Sequence, residues 1–192
     1  KFYMQAFSSH RLPSLMEEFG DGISLKESLE LKKEKIIHKE IGFSKKISKY
    51  NLDFGASYFK DNVYDKILLL PASTARLVAF NFKNTETNGF EIFLQTERNF
   101  FDFRLSASKI LACDLSEKDT VKIIPHSPEY IVNLNFGLTL FHYTRVFFDS
   151  RYKSKIFRDR DNLISNDESL IFDGGFNYSL KAHQENLSLS FL

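Results

Sequence analysis

At 192 residues the chain can hold one large all-β domain or two small ones. A formal net charge of +1 supplies neither a basic field for nucleic acid nor an acidic tail, and the single cysteine, Cys113, excludes a disulfide framework and a cysteine-rich metal site. No run approaches the roughly 18 consecutive apolar residues of a transmembrane helix. That leaves open a transmembrane barrel, whose apolar residues alternate with polar ones. Cys113 reads as an inert thiol in or near a loop. The chain starts at Lys1 with neither a start Met nor a signal peptide. Its 21 Phe and 8 Tyr suggest an apolar wall that meets an interface.

Residues 1–9 read as a strand, which Arg11, Leu12 and Pro13 break. Pro13 suits the first turn of a short helix over 14–19, stopped by Gly20 and Gly22. The polar stretch 20–35 reads as a long loop. Strands are expected at 37–46 and 49–64, joined by a tight turn. On the second, Tyr50, Leu52, Phe54, Ala56 and Tyr58 share one parity, and Asn51, Asp53, Gly55 and Ser57 the other. A long connection is expected over 67–76, around Pro71, and one long strand over 77–96. Phe80 and Phe82 share a parity with Phe90, Ile92 and Leu94, and Glu86 falls on that same apolar parity. Either a bulge shifts the register there or that part of the strand stands clear of the membrane.

After a short turn, Phe101, Phe103, Leu105 and Ala107 oppose Asp102, Arg104, Ser106 and Ser108. A polar loop covers 112–128. Tyr130, Val132, Leu134, Phe136 and Leu138 then oppose Asn133, Asn135 and Gly137. Past a tight turn, Thr144, Val146, Phe148 and Tyr152 form the dry side, and Arg145, Asp149 and Arg151 the wet one. A charged loop follows at 153–168. Phe172, Phe176, Tyr178 and Leu180 oppose Asp173, Gly175, Asn177 and Ser179, and a turn near His183 leads to Leu187, Leu189 and Phe191.

Connections thus alternate long and short, which in an up-and-down antiparallel sheet gathers every long loop at one end, as in outer-membrane barrels. A soluble β-domain also alternates. The membrane reading is favoured because the polar parity carries Gly, Ser, Asn, Asp and Arg, while the apolar parity is dense in aromatics.

Four stretches carry a family resemblance: AFSSHRLPSLMEEFG, LKKEKIIHKEIGFSKKISKYNLDFGASYFKDNVYDKI, NTETNGFEIFLQ and IIPHSPEYIVNLNFG. In order and spacing they resemble the C-terminal part of the β-barrel of TonB-dependent outer-membrane receptors. The resemblance implies an all-β transmembrane antiparallel up-and-down barrel. The 192 residues would supply about nine strands of a larger, generally 22-stranded barrel, without its N-terminal plug domain. It implies the outer membrane of a Gram-negative-type bacterium and contact with lipid. It also implies TonB-powered import of a scarce ligand, with the TonB contact in the missing plug. Where haem receptors often carry Asn-Pro-Asn-Leu, after Gly20, this chain reads ISLKESLELKKEK.

No catalytic constellation is present in the sequence: no nucleophile elbow, no phosphate loop and no HExxH, so no enzyme activity or cofactor is expected. His10, His38, His126, His142 and His183 are scattered and read as loop or rim residues. His10, Arg11, Phe19, Phe157, Arg158 and Arg160 are the ligand-binding candidates. Glu40, Asp53, Glu91, Asp102, Arg104, Arg145, Asp149 and Asp173 are expected to face the lumen. Gly42, Gly55, Gly89, Gly137 and Gly175 share that parity, where small residues leave room for a plug or relieve curvature. Tyr50, Tyr58, Tyr143, Tyr152 and Tyr178 read as girdle or lumen groups. Haem capture commonly uses His on iron, whereas a ferric siderophore brings its own oxygen ligands, which favours a siderophore over haem or cobalamin. A passive porin-like or adhesin barrel and a soluble binding domain are the competing classes.

Overall fold

The computed structural model describes residues 1–73, 76–116, 121–140, 143–182 and 185–191. In chain order the elements are β1 (Phe2–Arg11), α1 (Leu15–Phe19), β2 (Leu25–Lys26), β3 (Glu34–Ile47), β4 (Leu52–Ser73), β5 (Arg76–Arg98) and β6 (Phe101–Asp114). There follow β7 (Lys122–Ile123), β8 (Tyr130–Leu140), β9 (Thr144–Lys153), β10 (Ile156–Phe157), β11 (Ser165–Asn166), β12 (Ser169–Ala182) and β13 (Glu185–Phe191). Nine of the strands form one meander in the order β1-β3-β4-β5-β6-β8-β9-β12-β13. Beside it, β2 pairs β5, β7 pairs β6, and β10 pairs β11.

Because Cα partners across a ladder share a face, the register turns the sequence alternation into rows. One row on the apolar face runs Phe54–Leu94–Leu105–Leu134–Ser150–Phe172, and the next Leu52–Thr96–Phe103–Phe136–Phe148. Lys45 joins the first row beside Phe54 and is exposed, free to bend its ammonium toward the short-turn rim. Aromatic groups mark both edges of this band. At one edge Tyr58, Phe90 and Tyr130 lie on one row, with the Lys109 ammonium 5.2 Å from the Tyr130 ring centre. At the other, Tyr50 meets Lys49 at 5.4 Å and Arg98 at 5.8 Å, and Phe100 packs on Phe101 at 5.0 Å. At about 3.3 Å per residue, β5 travels about 26 Å between Phe90 and Arg98, or about 20 Å along the barrel axis at a tilt of about 40°. That suits an apolar band about 25 Å tall once side chains overhang its edges.

Four connections lie at one end, as the loop lengths predict: β1 to β3, β4 to β5, β6 to β8 and β9 to β12. The second departs from the expected long loop. Residues 67–73 and Arg76 are strand, and β4 and β5 run on together as a hairpin standing beyond the other strands. Ile67 and Leu70 are buried there, which favours strand over coil, and Pro71 is tolerated beside the ladder's register shift between Pro71 and Ser73. The register runs unbroken through Glu86, so no bulge lies there. Glu86 instead pairs with Lys60 at 2.8 Å just past the Tyr58 row, where the face turns polar. Phe82, expected on the dry face, is 1% exposed, because Ile124 and the Arg160 guanidinium cover it. The polar stretch 112–128 also begins as strand, with β6 continuing to Asp114 and β7 folding back on it. Pro13 precedes the helix rather than entering it; Ser14 is the N-cap, and its hydroxyl accepts from the Glu17 N–H at 3.2 Å.

On the polar face, Gly42, Gly55 and Gly89 do not leave empty room. Gly42 lies directly opposite Tyr3, Gly55 opposite Phe93 and Gly89 opposite Phe59, and a Cβ on any of the three would overlap the facing ring. The rings lie across the glycines and pin the register. Gly89→Val should therefore overpack this face and cost about 1–3 kcal/mol, measured by denaturant unfolding of the full-length protein from lipid vesicles. Adding Phe59→Leu should recover most of the loss; a neutral single variant would refute the interlock.

Candidate functional site

Two regions collect chemistry: the polar face of the sheet and a cleft at its long-loop end. On the polar face one row crosses seven strands, Lys46–Asp53–Gln95–Arg104–Asn135–Asp149–Asp173. Asn135 donates to Asp149 at 2.6 Å and Gln95 to Asp53 at 3.4 Å. One row nearer the short turns, Asp102 and Arg145 meet at 2.7 Å across Gly137, whose missing side chain is the gap they use. Lys46, Asp53, Asp102, Arg104, Asn135 and Arg145 thereby line a trough of about 450 Å³. Higher on the same face, Glu40 accepts hydrogen bonds from Tyr3 at 2.8 Å and from Gln5. His38 bonds Asp61 at 2.5 Å and stacks on Phe7 with ring centres 4.7 Å apart. Glu91 shares the Tyr3–Gly42–Ser57 row.

The cleft of about 780 Å³ lies between the β4–β5 hairpin tip and the β10–β11 connection. Leu70, Phe80, Leu77 and Ile164 line it together with Arg76, Arg158 and Arg160. Its loop is held from within. Asp159 accepts from the Ile164 N–H at 2.6 Å and from the Leu163 N–H at 3.1 Å. Burial pushes the Asp159 carboxyl up, but these backbone donors outweigh it and hold it below the usual carboxylate range. Asn162, in the left-handed region at φ 59°, bonds both the N–H and the carbonyl of Ile123, each at 2.8 Å, and ties the loop to β7. Arg160 reaches the buried Asp114 at 3.4 Å.

A family model described as TonB dependent receptor-like, beta-barrel, matches residues 1–191. The chain belongs to the TonB-dependent receptor family. Solved receptors share its fold. They include the siderophore receptor PiuA of Acinetobacter baumannii, at TM-score 0.74 and 15% identity, covering 98% of this chain and 28% of that one. The copper transporter OprC matches at TM-score 0.71 and 15% identity, covering 97% and 30%. The ferric-catecholate import receptor Fiu of Escherichia coli K12 matches at TM-score 0.70 and 15% identity, covering 98% and 28%. The chain therefore spans about 30% of the length of these solved proteins. No curated protein matches it in sequence.

On this receptor barrel Glu40, Asp53, Glu91, Asp102, Arg104, Arg145, Asp149 and Asp173 all share one face. The six ligand-binding candidates do not come together. Arg158 and Arg160 line the cleft, and Phe157 sits behind them in β10, its carbonyl accepting from the His126 N–H at 2.8 Å. Phe19 ends α1 and is exposed. His10 lies within β1 rather than at a loop start, opposite Lys35 and on the other face from Arg11. Arg11, though partly exposed, has its donors committed to partners within the chain. It forks onto Glu34 at 2.9 and 3.0 Å and onto Glu17 at 3.0 Å. Glu34 is 6% exposed and also accepts from the Ile67 N–H at 2.5 Å, so its carboxylate joins β1 to the hairpin, while Arg11 carries the link on to α1 through Glu17. His38, expected at a rim, is mid-strand; His142 and His183 lie outside the described residues. Sequence reasoning missed Arg76, Glu34 and Asp114. Parity gives no sign of them, because what each one meets, Arg11 and Ile67 for Glu34, Arg160 for Asp114 and the cleft for Arg76, comes from distant segments.

Two outcomes test this arrangement. Arg11→Met should leave Glu34 buried without its cation and cost about 1–3 kcal/mol, read from unfolding titrations, with ligand affinity unchanged. Asp159 stabilises its loop at pH values above the unfolded carboxylate pKa of about 3.9; that contribution fades as pH falls through its lower folded value. Amide exchange at Leu163 and Ile164, corrected for its intrinsic pH dependence, should stay slow down to about pH 4. Below that it should quicken, and Asp159→Asn should quicken it already at neutral pH.

Proposed function

We propose that these residues are the C-terminal portion of the barrel of a TonB-energised uptake receptor for a ferric siderophore. The plug and its TonB contact would come from parts of the receptor outside this chain. The carrying observation is the cleft at the long-loop end, where Arg76, Arg158 and Arg160 stand beside an apolar wall of Leu70, Phe80 and Ile164. A chelate that brings its own oxygen ligands needs no metal-binding side chain. It needs cations for its negative charge and apolar surface for its rings, and the cleft offers both. PiuA and Fiu, whose names speak of siderophore and ferric-catecholate import, support this class, and OprC shows that the same barrel also serves a copper transporter.

In this reading the polar face lines the lumen and the apolar face meets lipid. The aromatic-edged apolar band supports that facing. The row of Asp53, Arg104, Asp149 and Asp173, with the Asp102–Arg145 pair, would then face the plug through hydrogen bonds and ion pairs. Phe54→Arg should cost about 2–4 kcal/mol of barrel stability, measured by folding into lipid vesicles. A neutral result would reverse the facing.

The function is tested by growth of the source bacterium under iron limitation, with the full-length gene intact or altered. Growth on a purified ferric siderophore should depend on the receptor, fall with Arg158→Ala/Arg160→Ala and be unaffected by His10→Ala. Receptor-dependent growth on haem that is lost with His10→Ala would overturn the siderophore assignment.

A further inference from the structure

The apolar face carries a feature that ligand uptake does not use. Just past the Tyr58 row, toward the long loops, Lys39 and Lys60 lie directly opposite each other on β3 and β4. Like charges so placed repel unless an anion sits with them. Lys60 has one in Glu86 at 2.8 Å, and Lys109, one row lower, has Glu129 at 3.6 Å. Lys39, and Lys35 farther up β3 on the same face, are exposed and have no ion pair among the described residues. Beside Lys39 and Lys60 runs a groove of about 410 Å³ whose apolar lining includes Met4, Ala6, Ile41 and Tyr58. The Tyr58 hydroxyl donates to Asn88 at 3.2 Å, which fixes the ring at the groove's edge.

We propose that this surface binds a phosphate-bearing lipid of the outer leaflet. An acyl chain would lie in the groove along Ile41 and Tyr58, and the headgroup phosphate would sit at Lys39, with Lys60 beside it and Lys35 within reach of the sugar-phosphate region. The chemistry favours a lipid over a soluble anion, because the cations stand at the rim of an apolar groove on the lipid side. They mark the level where a headgroup meets its chains. The assignment rests on the facing proposed above, in which this surface meets lipid.

The test uses the full-length receptor in neutral detergent, with fluorescent bisphosphorylated lipid A and its dephosphorylated form as probes. Wild type should bind the bisphosphorylated lipid more tightly. Lys39→Gln should weaken that binding about fivefold and Lys39→Gln/Lys60→Gln about twenty- to thirtyfold, at about a fivefold factor per lysine, with the dephosphorylated lipid unaffected. Equal binding of the two lipids by wild type, or unchanged affinity in the double variant, overturns the lipid site. Inorganic phosphate that displaces the lipid from wild type at its own modest concentration would assign the lysines to a soluble anion instead. Facing is read separately, in a Cys113→Ser background, from quenching of a probe on Phe54→Cys by lipid with brominated acyl chains. Quenching without lipid A discrimination sinks the lipid site alone, whereas absence of quenching sinks the facing.

Discussion

A backbone amide inside a bilayer has no water to turn to, so every N–H and carbonyl in the band must find its partner on a neighbouring strand. Everything else in this chain depends on that ladder staying in register. From β1 to β12 the pairing runs through the band without a slip, and the one shift among the described residues, between Pro71 and Ser73, lies at the hairpin tip. A slip of β4 by one residue would carry Leu52, Phe54, Ala56 and Tyr58 to the polar face together. The glycine–aromatic pairs oppose such a slip, since Tyr3, Phe93 and Phe59 each need a glycine directly opposite.

Beyond the band the ladder no longer has to be complete, and the chain uses that freedom. The β4–β5 hairpin stands out past its neighbours, and the loops close around it. β2 pairs with β5 at Leu25–Leu77 and Lys26–Val78, and Arg11 and Glu34 clamp α1 and the hairpin base. Arg160 lies over Phe82 and reaches Asp114, while Asn162 holds β7. The arginine cleft is a product of this closing-up, because its walls come from the hairpin tip and its cations mostly from the loop after β10. Charge and fold are thus coupled: the acids that could neutralise the cleft are largely engaged elsewhere, Asp159 by backbone donors and Asp161 by Lys122 at 2.6 Å.

How much of the site was legible follows from the range of each interaction. Arg158 and Arg160 were visible as loop cations beside Phe157, and they do line the cleft. Arg11 looked equivalent in sequence and is not, because Glu17 and Glu34 take its donors. His10 appeared to begin a loop, but the strand continues through it and turns its side chain away from Arg11. Arg76 and Asp114 gave no signal, since Arg76 matters for the cleft it comes to line and Asp114 for Arg160, both set by segments dozens of residues away.

The sequence by itself determined the alternation, the nine strands of the meander, the end at which the long connections gather and the family. Each of these depends on period-two patterning or on short motifs, which need no knowledge of a distant neighbour. Only the tertiary structure decided that 67–73 is strand, that Phe82 is covered, that glycine gaps are filled by facing rings, and which arginines share a cleft. Those outcomes depend on which segments meet across the ladder and over its end. A local pattern can propose a strand's two faces, but only its neighbours determine what each face touches.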